Sequence, residues 1–324
     1  MTKKYGDIVH LSAFGQSIIV LGSAQAVTDL MEKRSSTYSG RYHLTMLHDL
    51  MGFDWALSLL SYNEKWRRHR KMFHHYFGAH AAEAFKPIQQ RQSQALLKRI
   101  SAAPDQFFQH VRHTTSATIM EVTYGFDVKE ENDEWVNLVE EAVHGYSLGG
   151  TFGQFVVDIL PILKHVPAWI PGANFQKVAA HYRKLAIAMR VEPFEAVKAA
   201  VNSGTARPSA AASMIEHLRS LTGPFREEEE KLSQNCSAMA YGAGADTTTA
   251  ALQSFLVAMV LYPEVQRKAQ AELDAVVGQH RPPAFDDRGS LPYVEALIKE
   301  TLRWQMVAPL GKYLLLLLPV PQLH

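Results

Sequence analysis

The residues best suited to chemistry stand together near the middle of the chain, in Ala243-Gly244-Ala245-Asp246-Thr247-Thr248-Thr249. A carboxyl group next to three hydroxyls can hold and pass protons. The flanks are apolar with a helical period, and no proline interrupts Arg226 to Leu261. Glycine costs about 1 kcal/mol relative to alanine inside such a helix, yet Gly242 and Gly244 are both present. A helical threonine can also bond back to the carbonyl four residues earlier, which bends the helix. Thr247 stands in that relation to Ala243. The spacing allows two readings. One is a small groove where a flat ligand or a diatomic molecule lies against backbone, with Asp246 and Thr247 relaying protons. The other is a glycine-mediated helix crossing whose polar groups are satisfied locally.

Two further groupings carry weaker signals. In Lys65-Trp66-Arg67-Arg68-His69-Arg70-Lys71, Trp66 and Arg70 share a helical face. An indole N–H beside a guanidinium fork suits an anionic oxygen ligand such as a carboxylate, although a solvated basic helix with one core tryptophan has the same pattern. Glu300 and Arg303 in Glu300-Thr301-Leu302-Arg303 form an ordinary i, i+3 pair. His69, His74, His75 and His80 cluster in sequence without the i, i+4 spacing of a helical metal site, so no metal ligand is expected. Phosphate-cradling and serine-hydrolase motifs have no suitable context either.

The elements that must position these groups are mostly helical. Ile8 to Leu21 alternates around Phe14-Gly15-Gln16 and reads as a hairpin, the one convincing strand pair. Helices are expected over 24–34, 63–77, 79–100, 105–125, 132–146, 175–201 with a break at Pro193, 213–221, 226–261, 263–277 and 291–304. Ser35 to Leu60 reads as a long loop with helical pieces, Leu160 to Gly172 as a proline-punctuated connection, and Asn202 to Ala212 as a flexible linker. The fold class is therefore mainly α, one large multi-helix domain over 1–310 with a small N-terminal β hairpin. Residues 311–324 form a leucine-rich tail with five leucines in a row.

Composition excludes several function classes. Lys and Arg total 33 against 32 Asp and Glu, leaving a net charge of +1, so a nucleic-acid binder is not supported. The single cysteine, Cys236, excludes an internal disulfide framework and a zinc site of several thiolates. No apolar run approaches the roughly eighteen residues of a membrane span, and no signal region follows the N-terminus.

In order along the chain, these groupings resemble the cytochrome P-450 family of haem-thiolate monooxygenases, and fungal members most. Trp66 and Arg70 match the family's W-x-x-x-R helix, Ala243 to Thr248 its A-G-x-D-T-T, and Glu300 to Arg303 its E-x-x-R. Tyr262-Pro263-Glu264-Val265-Gln266, Leu291-Pro292-Tyr293-Val294 and the opening Lys4-Tyr5-Gly6-Asp7-Ile8-Val9 also read like the family. The resemblance implies haem b as cofactor and insertion of one atom of dioxygen into an apolar small molecule, with electrons from an NADPH-dependent reductase. It gives Trp66 and Arg70 the haem carboxylates, with Ala243 and Gly244 lying against the haem. Thr247 would stabilise bound dioxygen, Asp246 feed protons, and Glu300 and Arg303 serve structure. Arg67, Arg68 and Lys71 would face an acidic electron-transfer partner. Ser36 to Leu60 and Tyr146 to Gly172 would face substrate, with Phe53, Trp55, Phe152, Phe155 and Trp169 supplying apolar surface.

The sequence also departs from the family. The axial-cysteine loop F-x-x-G-x-R-x-C-x-G has no counterpart in the roughly twenty residues after Arg303. Cys236 precedes Thr247 by 11 residues, about 16.5 Å along one helix, and one helix cannot serve both faces of a haem. Cys236 is thus expected to be a small buried apolar residue. The expectation is a chain truncated before the ligand loop, with neither the family's later strands nor its membrane anchor. Full-length relatives are typically anchored to the endoplasmic reticulum. The alternative function is then an inactive helical fragment.

Overall fold

The structure is a computed structural model that describes residues 2–13, 16–151, 153–308 and 314–315. Strands β1 (Ile8–Ala13) and β2 (Gln16–Leu21) form the expected antiparallel hairpin, with Ile8 opposite Leu21 and Ala13 opposite Gln16. Its β-branched Ile8, Val9, Ile18, Ile19 and Val20 suit a pleated surface. Phe14 and Gly15 of the expected turn lie outside the described residues.

The longer helices are α1 (Glu64–Phe77), α2 (Lys86–Ala102), α3 (Phe107–Tyr124), α4 (Glu134–Gly149), α5 (Asn174–Ser203), α6 (Ala210–Leu218), α7 (Gly223–Leu261), α8 (Pro263–Val276) and α9 (Pro292–Trp304). Local chemistry sets their ends. The Asp133 carboxylate accepts the N–H groups of Trp135 and Val136 at 3.0 Å and starts α4. Gly125, at φ 74°, ends α3 in the left-handed region that other residues avoid. Prolines at the first turn begin α2, α7, α8 and α9, where a missing N–H costs nothing.

Several expected boundaries are corrected. The helix expected over 24–34 is a short α-helix, Ala24–Val27, running into a π-helical turn, Thr28–Glu32. The helix expected over 79–100 is divided by a 3₁₀ turn, Glu83–Phe85, because Pro87 starts a helix more readily than it continues one. Pro193 does not break α5. Met189, Phe194 and Val197 beside it are buried, and that burial offsets one lost backbone bond. The linker is shorter than expected, because the Ser209 hydroxyl accepts the Ala212 N–H at 3.2 Å and starts α6 there. The hairpin is also not alone: β3 (Gly40–Arg41) pairs antiparallel with β4 (Leu314–Leu315), placing part of the leucine run opposite a loop 274 residues earlier. The rest of the 311–324 tail lies outside the described residues.

The described residues divide into two compact units. The first takes residues up to Arg70, His144–Ile187 and β4. Its core is Leu44, Met46, Leu47, Met51, Phe53 and Trp55. Here α4 and α5 approach so closely that a Cβ at Gly145 would overlap the Tyr182 ring, and one at Gly149 would lie 2.6 Å from Met51 Sδ.

The second unit takes Lys71–Val143 and the chain from Ala188. Its axis is α7, 39 residues and about 58 Å long. Its Leu232 and Tyr241 are buried, as are Met120 and Tyr124 of α3 and Met214 of α6. Where α3 crosses α7, a Cβ at Gly244 would lie 2.8 Å from Ile119 Cγ1. Among the described residues, no single helix is long and apolar enough to cross a membrane, although α7 and α8, bent by 106°, pass that test as a pair.

Candidate functional site

The middle of α7 is an uncovered polar step in a buried helix. Asp246, Thr247 and Thr248 are exposed, while Ala245 and Thr249 on either side are buried. The Thr247 hydroxyl donates to the Ala243 carbonyl at 2.8 Å. Two residues on, the Thr249 hydroxyl donates to the Ala245 carbonyl at 2.9 Å and lies 2.6 Å from the Thr115 hydroxyl of α3. Thr249 and Thr115 thus satisfy each other inside the protein, whereas Thr247 turns to an open face. Gly244 is the close-approach position against Ile119, so a helix crossing and an open step sit side by side on one stretch of helix.

Asp246 has a partner that sequence reasoning missed. Arg112 of α3 lies with Nη2 3.7 Å from its carboxylate, while its Nε donates to Glu140 at 2.6 Å. The Asp246 pair is long and half exposed, so it steers the carboxylate with little stabilisation. No sequence signal marks Arg112, which is 134 positions from Asp246 in the chain.

Trp66 and Arg70 belong to the first unit, one turn apart on α1. The Asn63 side chain accepts the Trp66 N–H at 2.9 Å and begins the helix, and the Trp66 ring packs 5.2 Å from that of Tyr62. Arg70 is exposed. No carboxylate among the described residues pairs with it. Arg67 is engaged with Glu64, which holds its guanidinium further in the charged form. Glu300 and Arg303 on α9 form a two-bond pair, at 2.7 and 2.6 Å, on an exposed face. The Glu300 carboxyl is held below its usual range by Arg303.

The haem implied by the resemblance can be tested against these residues. Within the second unit, the open step carrying a carboxyl and a hydroxyl suits one wall of a flat ligand; within the first, an exposed guanidinium one turn from an indole N–H suits a carboxylate. Cys236 does not fit as the iron ligand. It is 1% exposed and packs with Met214 and Leu232 against Met72, Phe73, Tyr76 and Phe77. Burial, with a smaller push from Glu229, drives its thiol up to about 12, far from the thiolate a metal requires. Among the described residues no group of three His, Cys, Asp or Glu side chains could hold a metal ion.

Of the aromatics expected to face substrate, Phe53 and Trp55 are sealed in the first unit's core, with Phe53 edge-on to Tyr146 at 5.4 Å. Trp169 is 81% exposed, and Phe152 lies outside the described residues.

Comparison with known proteins gives a concordant result. The family model described as cytochrome P-450 matches residues 1–314. Cytochrome P-450 monooxygenase COX2 of Coprinopsis cinerea is 42% identical over 311 residues, which is 96% of this chain and 59% of that protein. Cytochrome P-450 monooxygenase 208 of Postia placenta is 43% identical, over 95% of this chain and 59% of its own length. Tryptamine 4-monooxygenase of Psilocybe cyanescens is 38% identical, over 94% and 60%. The chain thus spans about 60% of the length of the curated relatives it matches.

Proposed function

Because this chain belongs to the cytochrome P-450 family, we propose that it serves a haem-dependent monooxygenase that inserts one atom of dioxygen into an apolar small molecule. The observation that carries this reading is the open step on α7, where Thr247 bonds back to Ala243 and Asp246 stands exposed beside it. When bound, haem supplies the oxygen activation. The chain's own residues supply the surroundings. Trp66 and Arg70 hold the haem carboxylates, one by its indole N–H and one by its guanidinium. Ala243 keeps the helix surface low enough for a flat ring to lie against it, and Gly244 beside it leaves room for Ile119 of α3. Asp246 takes protons from solvent at its carboxylate, with Arg112 limiting its swing, and Thr247 passes them on through its hydroxyl. Glu300 and Arg303 brace α9. An NADPH-dependent reductase supplies electrons, and Arg67, Arg68 and Lys71, which make α1 basic, suit an acidic partner.

For the 324 residues taken alone, the burial of Cys236 favours a second reading, a helical species without turnover. One experiment separates the two. The chain is expressed with haem, reduced and exposed to carbon monoxide. A red-shifted Soret band of the thiolate type supports turnover by these residues. Haem uptake without that shift supports the second reading, while failure to take up haem overturns the roles given to Trp66 and Arg70.

A further inference from the structure

The turn Met46–Leu50 is one turn of π-helix, and such a short element leaves N–H groups at its start and carbonyls at its end without partners of its own. Both ends are met by residues more than a hundred positions further along, within the same unit. At the start, Asp158 Oδ1 accepts the Met46 N–H at 2.8 Å. At the end, Arg183 Nη1 donates to the Asp49 carbonyl at 2.9 Å and to the Leu50 carbonyl at 3.4 Å. The stem of Arg183 also covers Gly52, which leaves the turn at φ 74°. An anion thus meets the N–H end and a cation the carbonyl end, the signs that a helix terminus favours.

Asp158 is 2% exposed, and its second carboxylate oxygen has no partner among the described residues. The carboxyl is therefore committed to the turn. A third tie is looser: Lys164 Nζ lies 2.9 Å from Asp49 Oδ2, with both side chains about a third exposed.

We propose that Asp158 and Arg183 are positioning residues, a two-ended clamp that fixes the 44–56 stretch and with it the buried Phe53 and Trp55. This rests on the reading that 36–60 and 146–172 face substrate. Under that reading the Asp158 end of the clamp, which ties one stretch to the other, sets how far the two separate, and so the size of apolar molecule admitted.

The clamp is tested without haem, by hydrogen exchange on the full chain, following amides 45–53. Asp158→Ala and Arg183→Met should each speed exchange there by about tenfold or more, with the β1–β2 hairpin unchanged. Asp158→Asn, which keeps an acceptor for the Met46 N–H, should restore protection, as should Arg183→Lys in part. Unchanged exchange in both loss variants overturns the proposal, and so does a rise spread evenly over the unit. Should Asp158→Ala not fold, the exposed Arg183 carries the test alone. A failed carbon monoxide spectrum would count against the haem reading and leave this result standing.

Discussion

Gly145 of α4 and Tyr182 of α5 touch with no room for a side chain between them: a Cβ at Gly145 would overlap the Tyr182 ring at its Cδ1–Cγ edge. Within the first unit this contact sets how closely the two helices approach. Gly145→Ala should therefore destabilise the fold by about 1–3 kcal/mol, the usual cost of overpacking. Chemical denaturation measures it, and Tyr182→Ala in the same chain should recover part of the loss.

The thiol of Cys236 should be unreactive in the native state. With its ionisation pushed up to about 12, roughly one molecule in ten thousand carries a thiolate at pH 8, and the side chain is sealed as well. A thiol reagent should label the chain at the rate of unfolding, and in full once denaturant is added. Fast labelling in native buffer would contradict the packing around Met214 and Leu232.

Asp158 should give stability an unusual pH slope. Burial raises its carboxyl above the ordinary aspartate value, partly offset by the Met46 N–H and by His43 nearby. The folded state then holds the proton more tightly than the unfolded state. Stability from this group is present at low pH and lost as pH rises through the window between the ordinary value and the raised one. Asp158→Asn should flatten that slope. Urea midpoints measured across mildly acidic pH check the sign.

Asp246→Asn should leave folding almost untouched, within about 0.5 kcal/mol, because the residue is exposed. In a haem-loaded, reductase-coupled protein the same change should slow dioxygen consumption by about a hundredfold or more, the scale of a lost proton donor. Equal rates for both proteins would remove Asp246 from the proton path.

The order of the longer helices was readable from hydrophobic period alone, and so was the hairpin, because its alternation is local. Boundaries shifted where a nearby group decided them: the Ser209 hydroxyl claimed residues that composition assigned to a linker, and buried Phe194 carried α5 through Pro193. The A-G-A-D-T-T pattern pointed to the Thr247 back-bond, since four residues on a helix fix that geometry. Arg112 beside Asp246, the Asp158–Arg183 clamp and the β3–β4 pairing were out of reach. Each joins residues far apart in sequence, and nothing local in an arginine, an aspartate or a leucine run names a partner.

Both units are built from separated stretches of chain, and this bears on synthesis. Residues 44–56 leave the ribosome long before Asp158 and Arg183 exist to hold them. During that interval Met46, Leu47, Met51, Phe53 and Trp55, all buried in the finished protein, have nowhere to pack. A nascent chain of this design exposes aggregation-prone apolar surface over that span. Codon changes that slow elongation between 71 and 143 would lengthen the exposure, with lower soluble yield as the outcome to look for.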